Sequence, residues 1–235
     1  HTYMAYTLAR FDNTLFQADY NVPTMSVGFT TQFFGDILFI MLMKLGFHWT
    51  HINGLLYLFF LFIFSTGIVY TVYAITEEYQ LCISFFFAVC IQMLLIGQAF
   101  GSNSIWLNAY YNQTPAIAIS IWGLYCALKP TPHWTLAALV IALAGLFHIQ
   151  VAIYAYAVVF VLLVFYVIRN HKHKLLLTTL PVILVAVFSF ILVSVNVDFK
   201  LTNTEFNNIY ALLRHPHHLV PSTWDKEGMI QFLYY

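Results

Sequence analysis

The sequence predicts an all-α fold, a polytopic bundle of transmembrane helices, on three observations. Hydrophobic residues make up 61% of the chain and charged residues only 8%, against roughly 25% charged in an ordinary soluble domain. Mean hydropathy is +0.79. The few charges are also segregated: no Asp, Glu, Lys or Arg occurs from Gln80 to Leu128, from Pro130 to Ile168 or from Leu175 to Val197. Each of these runs is long enough to contain the ~20 apolar residues that cross a bilayer as a helix.

Three regions follow. Residues 1–53 form an outer-face loop with juxtamembrane or re-entrant helices, 54–197 a core of six transmembrane helices, and 198–235 an outer-face loop with the start of a further span. Within the first region, Gly35 to Gly46 is apolar but short and carries Asp36 and Lys44, which suits an interfacial or re-entrant helix better than a full crossing. The spans of the core are placed by apolar length and bounded by Pro, Gly and charge. They run from Gly54 to Ile75, Leu81 to Gln98, Pro115 to Leu128, Trp134 to Phe147, Val151 to Ile168 and Leu175 to Val197. The chain begins at His1 and finishes on Gln231-Phe232-Leu233-Tyr234-Tyr235, so both ends read as cut from something longer.

Sidedness comes from the bias of Lys and Arg toward cytoplasmic loops. Arg169-Asn170-His171-Lys172-His173-Lys174 is the most basic stretch and is placed inside; alternation then puts Lys129 and Glu77-Glu78 inside. Ser102 to Thr114, the bend at His148 to Gln150 and everything after Asp198 fall outside, and so does His1 to Asn21 if Gly35 to Gly46 does not cross. Cys82, Cys90 and Cys126 sit inside apolar runs without metal-like spacing and read as small membrane-buried residues. A formal charge of zero leaves no basic patch for nucleic acid. The bilayer is the first partner implied.

Polar chemistry gathers on the outer face. Asp12 and Asp19 lie seven residues apart in Arg10-Phe11-Asp12-Asn13-Thr14-Leu15-Phe16-Gln17-Ala18-Asp19-Tyr20, about two helical turns, so both can face one side of a surface helix. A carboxylate beside a low-dielectric boundary gains proton affinity, which suits a general base. A solvated juxtamembrane segment, with Asp19 making a turn before Pro23, fits the same residues. The second cluster, Arg214-His215-Pro216-His217-His218, is kept out of regular helix by Pro216 and Pro221. It can offer a planar guanidinium fork and several imidazole donors to a phosphate; its spacing matches no standard zinc pattern, and a His-rich surface loop is the plain alternative. His148 and Gln150 lie between two apolar helices, where ionisable groups face a cavity or the interior, a satisfied structural histidine being the alternative. Asn103, Asn108, Tyr110, Tyr111, Asn112 and Gln113 make the neighbouring outer loop polar without charge; they can hydrogen-bond a sugar, and an aromatic belt explains the tyrosines equally well.

The order of these features resembles the GT-C superfamily of membrane glycosyltransferases. Arg10 to Tyr20 resembles that family's acidic first outer loop, Gly35 to Gly46 its juxtamembrane helix, and Thr135 to Gln150 its recurring small-residue helix ending in His. The likeness covers most of the chain as a pattern of short motifs. It implies a GT-C-like fold that transfers a sugar from a polyprenyl-phosphate-linked donor on the outer face, with Asp19 as base and Asp12 as second choice. Arg214, His215, His217 and His218 become candidates for the lipid phosphate, and Arg10, Asn112, His148 and Gln150 further substrate-binding candidates. Many members carry an acidic residue in the second outer loop, whereas Ser102 to Thr114 has none, so a divalent metal stays an open cofactor and no metal ligands are assigned. The Arg-His-Pro-His-His segment also looks like one found in uncharacterised bacterial membrane proteins, which implies a bacterial cytoplasmic membrane and supplies no activity. The competing expectation is a transporter or flippase for a lipid or polar solute, with Asp36 and His148 as its intramembrane groups.

Overall fold

The computed structural model describes residues 33–95 and 113–196, together with Leu8, Phe11, Asp12 and Thr14. Every regular element among the described residues is helical. Seven α-helices follow in order: α1 Phe33–Lys44, α2 Trp49–Thr76, α3 Tyr79–Leu95, α4 Gln113–Leu128, α5 Trp134–Phe147, α6 Ile149–Asn170 and α7 Leu180–Asn196, with a 3-10 helix at His173–Thr179 ahead of α7.

Local chemistry sets the boundaries. α1 stops at Gly46, whose φ of +93° is open to a residue without a Cβ. There the Gly46 N–H bonds Met43 O and the Phe47 N–H bonds Leu42 O, the paired C-terminal bonds of a Schellman motif. α2 then starts on His48, whose ring nitrogen Nδ1 accepts from the Thr50 N–H at 3.4 Å and pairs with the Thr50 hydroxyl at 2.7 Å. Glu77 ends α2 and His171 ends α6, both in the left-handed conformation and both donating their N–H back to the helix, to Tyr73 O and Val167 O. Tight 3-10 geometry after α6 has its cause in Pro181: the ring lacks an N–H and, in a continuous α-helix, would collide with the carbonyl of Leu177. The chain therefore winds as a 3-10 helix to Thr179 and restarts as α7 with Pro181 in its first turn.

Three segments are long and apolar enough to cross a membrane: Trp49–Thr76, Ile149–Asn170 and His173–Ile191, the last running through the 3-10 helix into α7. Among the described residues the other helices are shorter than these three segments. α5, with described residues on both sides, has 14 residues and reaches about 21 Å at 1.5 Å per residue, against a hydrocarbon core of about 30 Å. It occupies Trp134–Phe147, the range expected from the sequence, between the turn that holds Pro130 and Pro132 and the break at His148. α1 has 12 described residues, about 18 Å. It buries Phe39 and packs on α2 and α5.

α4 and α5 occupy the centre. Their facing surfaces are built from Ala116, Ala118, Gly123 and Ala127 on one side and Ala137, Ala138, Ala142 and Ala144 on the other, all buried. A Cβ at Gly123 would run into the Ile141 side chain, and one at Gly67 of α2 would come within 2.9 Å of Ile121 Cγ2. Small residues allow this approach, which supplies dispersion contacts where lipid removes the hydrophobic drive between helices. Two polar ties cross the α2–α4 seam: the Trp122 indole N–H donates to Ile63 O at 2.9 Å and the Thr71 hydroxyl donates to Ile121 O at 3.4 Å. By contrast, Leu55, Leu58, Phe59 and Phe62 of α2 and Val158, Val161 and Phe165 of α6 are exposed, as expected of side chains that face lipid.

Ring contacts fix the directions. α2 meets the end of α5 at Phe60–Phe147 and the far part of α4 at Tyr70–Tyr125, so α2 and α4 run parallel. α5 returns antiparallel to α4, its connection closed by the His133 N–H on Cys126 O at 2.9 Å, and Trp134 at its start stacks near Tyr166 at the close of α6. One end of the assembly therefore carries Lys129, Arg169 and Lys172, and the other carries Gln113 and His148. That the basic residues expected on one side share an end is a finding of the packing; which face of a membrane they occupy remains the expectation stated above.

Candidate functional site

His148 is the single non-helical residue between α5 and α6, extended at φ −158° and ψ 100°. The bend is sharp because Gly145 admits both Val185 of α7 and Ala152 of α6 where a larger residue would collide. The half-buried imidazole Nε2 lies 3.4 Å from the Gln113 side-chain nitrogen at the start of α4, and its Nδ1 is buried without a hydrogen-bond partner. Burial disfavours the charged ring and holds its pKa below the usual 6.5. His148 is thus a neutral imidazole at neutral pH, able to accept a proton or a hydrogen bond through one buried nitrogen.

The chain enters α1 beside this corner, the Phe34 ring meeting Phe147 edge-on at 5.7 Å. α7 departs toward it: starting from the basic end, it passes Gly145 at Val185 and continues to Asn196. Gln150 is exposed and donates to the Tyr154 hydroxyl at 3.0 Å along the surface of α6, so it turns away from the His148–Gln113 pair.

Asp12 is partly exposed. Its Oδ1 accepts from the Thr14 hydroxyl at 2.7 Å and from the Thr14 N–H at 2.9 Å, an Asx-type turn. Those two bonds hold its carboxyl below the usual carboxylate range, the hydroxyl contributing most. Local donors therefore stabilise the Asp12 anion. Asp19, Arg10, Asn112, Arg214, His215, His217 and His218 lie outside the described residues. Among the described residues, no three His, Cys, Asp or Glu side chains converge to hold a metal ion.

Three polar groups emerged only with the structure. Gln113 stood out in the sequence as part of a polar loop, but its pairing with a histidine 35 positions away carries no local signal. The Ser120 hydroxyl on α4 and the Tyr156 hydroxyl on α6 are buried without partners. Along the chain, Ser120 follows Gln113 by seven residues and Tyr156 follows His148 by eight, about two helical turns in each case.

The described residues thus define an all-helical protein with three helices long and apolar enough to cross a membrane. Comparison with protein families, curated proteins and solved structures finds no match.

Proposed function

We propose that the chain is a polytopic membrane glycosyltransferase of GT-C type, moving a sugar from a polyprenyl-phosphate donor to an acceptor on the outer face of a bacterial cytoplasmic membrane. One observation carries the reading. The chain enters α1 beside Phe147 and leaves α7 heading for the same end, where Gln113 and the neutral His148 make a half-buried polar corner. In the sequence, the acidic segment precedes α1 and the Arg/His segment follows α7. In the reaction, an acceptor oxygen forms a bond to the sugar's anomeric carbon while the bond to the lipid phosphate breaks. The phosphate keeps the electron pair, and the acceptor's proton passes to a carboxylate. Asp19 is assigned as that base, since Asp12 is committed to Thr14; Arg214 and its neighbouring histidines are assigned to the departing phosphate.

The test is transfer by the purified chain, with a panel of polyprenyl-phosphate sugars, against an Asp19→Asn variant shown to insert normally. Loss of a general base lowers the rate by roughly 10²–10⁴-fold; full activity in the variant sinks the assignment. A second reading, a transporter, is favoured by His148 alone, a titratable group between apolar helices. Solute uptake into proteoliposomes that requires His148 and ignores Asp19 would select it.

A further inference from the structure

The end opposite His148 holds a second constellation that sugar transfer does not use. Trp134, the first residue of α5, is 6% exposed, and its indole N–H is buried with no acceptor. An orphaned donor of this kind costs free energy unless something accepts from it. α5 itself starts without a side-chain cap, His133 forming no such bond while its N–H goes to Cys126 O, so no side chain offsets the positive end of the helix dipole there. Two separate connections bring cations to this end. Lys129 precedes α5 on the 129–133 turn, and Arg169 and Lys172 flank the end of α6. The Trp134 ring lies 5.3 Å from the Tyr166 ring, and the Lys172 ammonium sits over Tyr166 at 6.0 Å. Glu77 and Glu78 also lie at this end, against the four cations Lys129, Arg169, Lys172 and Lys174, so the sign stays positive.

The geometry points to a binding site for the phosphate headgroup of an anionic phospholipid at the start of α5, gripped by the Trp134 N–H and the helix terminus and surrounded by Lys129, Arg169 and Lys172. A helix N-terminus with adjacent cations is suited to a phosphate monoanion. The lipid origin of that phosphate follows from position. Residues 171–172 join two of the segments long enough to cross a membrane, Ile149–Asn170 and His173–Ile191, so the cations stand where headgroups lie, and the apolar outer faces of those helices are open to acyl chains. Basic residues beside membrane helices attract anionic lipid in general; the buried indole donor is what makes this a site.

Native mass spectrometry of the full chain in detergent, titrated with phosphatidylglycerol, phosphatidylcholine or inorganic phosphate, tests it. Phosphatidylglycerol should be retained about tenfold more tightly than phosphatidylcholine, and Trp134→Phe, which keeps an aromatic ring on Tyr166 and removes the N–H, should lower that retention about tenfold. Lys172→Gln, at an exposed position that leaves the fold intact, should weaken it severalfold and carries the test if Trp134→Phe fails to fold. Equal retention of the two lipids overturns the site. So does an unchanged Trp134→Phe, which would leave only diffuse charge attraction, and so does inorganic phosphate competing as well as the lipid.

Discussion

α4 and α5 differ from α2, α6 and α7 in almost every property except apolarity. The central pair buries a series of small residues; the outer helices are rich in Phe, Leu and Val and exposed on their outer sides. All of them are apolar. The difference shows that apolar composition alone does not report what a helix packs against: small residues mark helix–helix seams, and large ones mark the surface left for lipid.

Four substitutions, each measured by reversible unfolding in mixed micelles, would break or sharpen that contrast. The largest effect belongs to Gly123→Ala at the α4–α5 seam, where the new methyl meets Ile141 and lies 3.3 Å from Ala137 O; a loss of about 1–3 kcal/mol is expected, and an unchanged stability would mean the seam is looser than described. Next comes Gly54→Ala on α2, where nothing lies within 4 Å of the added Cβ. The same change should here stabilise by about 0.5–1 kcal/mol through helix propensity, so the pair of glycines separates seam from surface with one chemistry. Trp122→Phe should cost about 0.6 kcal/mol, at the low end because Ile63 O keeps a second donor in the Thr66 hydroxyl at 3.0 Å. Smallest at neutral pH is His148→Gln, which retains a partner for Gln113. Its effect is on pH dependence. Because burial depresses the folded pKa, the neutral ring's contribution is complete above the unfolded value of 6.5 and is lost as pH falls through the folded one. The wild type should lose stability below about pH 6.5 more steeply than the variant; parallel curves would show that His148 is not desolvated.

Helix positions were largely legible in the sequence, for identifiable reasons. Trp134 to Phe147 is bounded by Pro132 and by the polar His148, and the helix occupies those residues. The start of α2 lies five residues before the expected Gly54, because Thr50, His51 and Asn53 look like loop residues until the His48 cap is seen to hold them in the first turn. The expected span Leu175 to Val197 conceals a change of helix type that Pro181 signals. The candidate site was less legible. His148 drew notice as an ionisable group in apolar surroundings, but Gln113 becomes its neighbour only through the packing of α4 and α6, a relation between distant segments that no local pattern encodes.

The order of the packing partners along the chain is also informative. The turn at 129–133 joins α4 and α5 as a hairpin, closed by the His133 N–H on Cys126 O. Among the described residues α2 precedes that hairpin and carries the Ile63 carbonyl and the Gly67 notch that receive Trp122, so the surface against which α4 packs lies earlier in the chain than the hairpin itself.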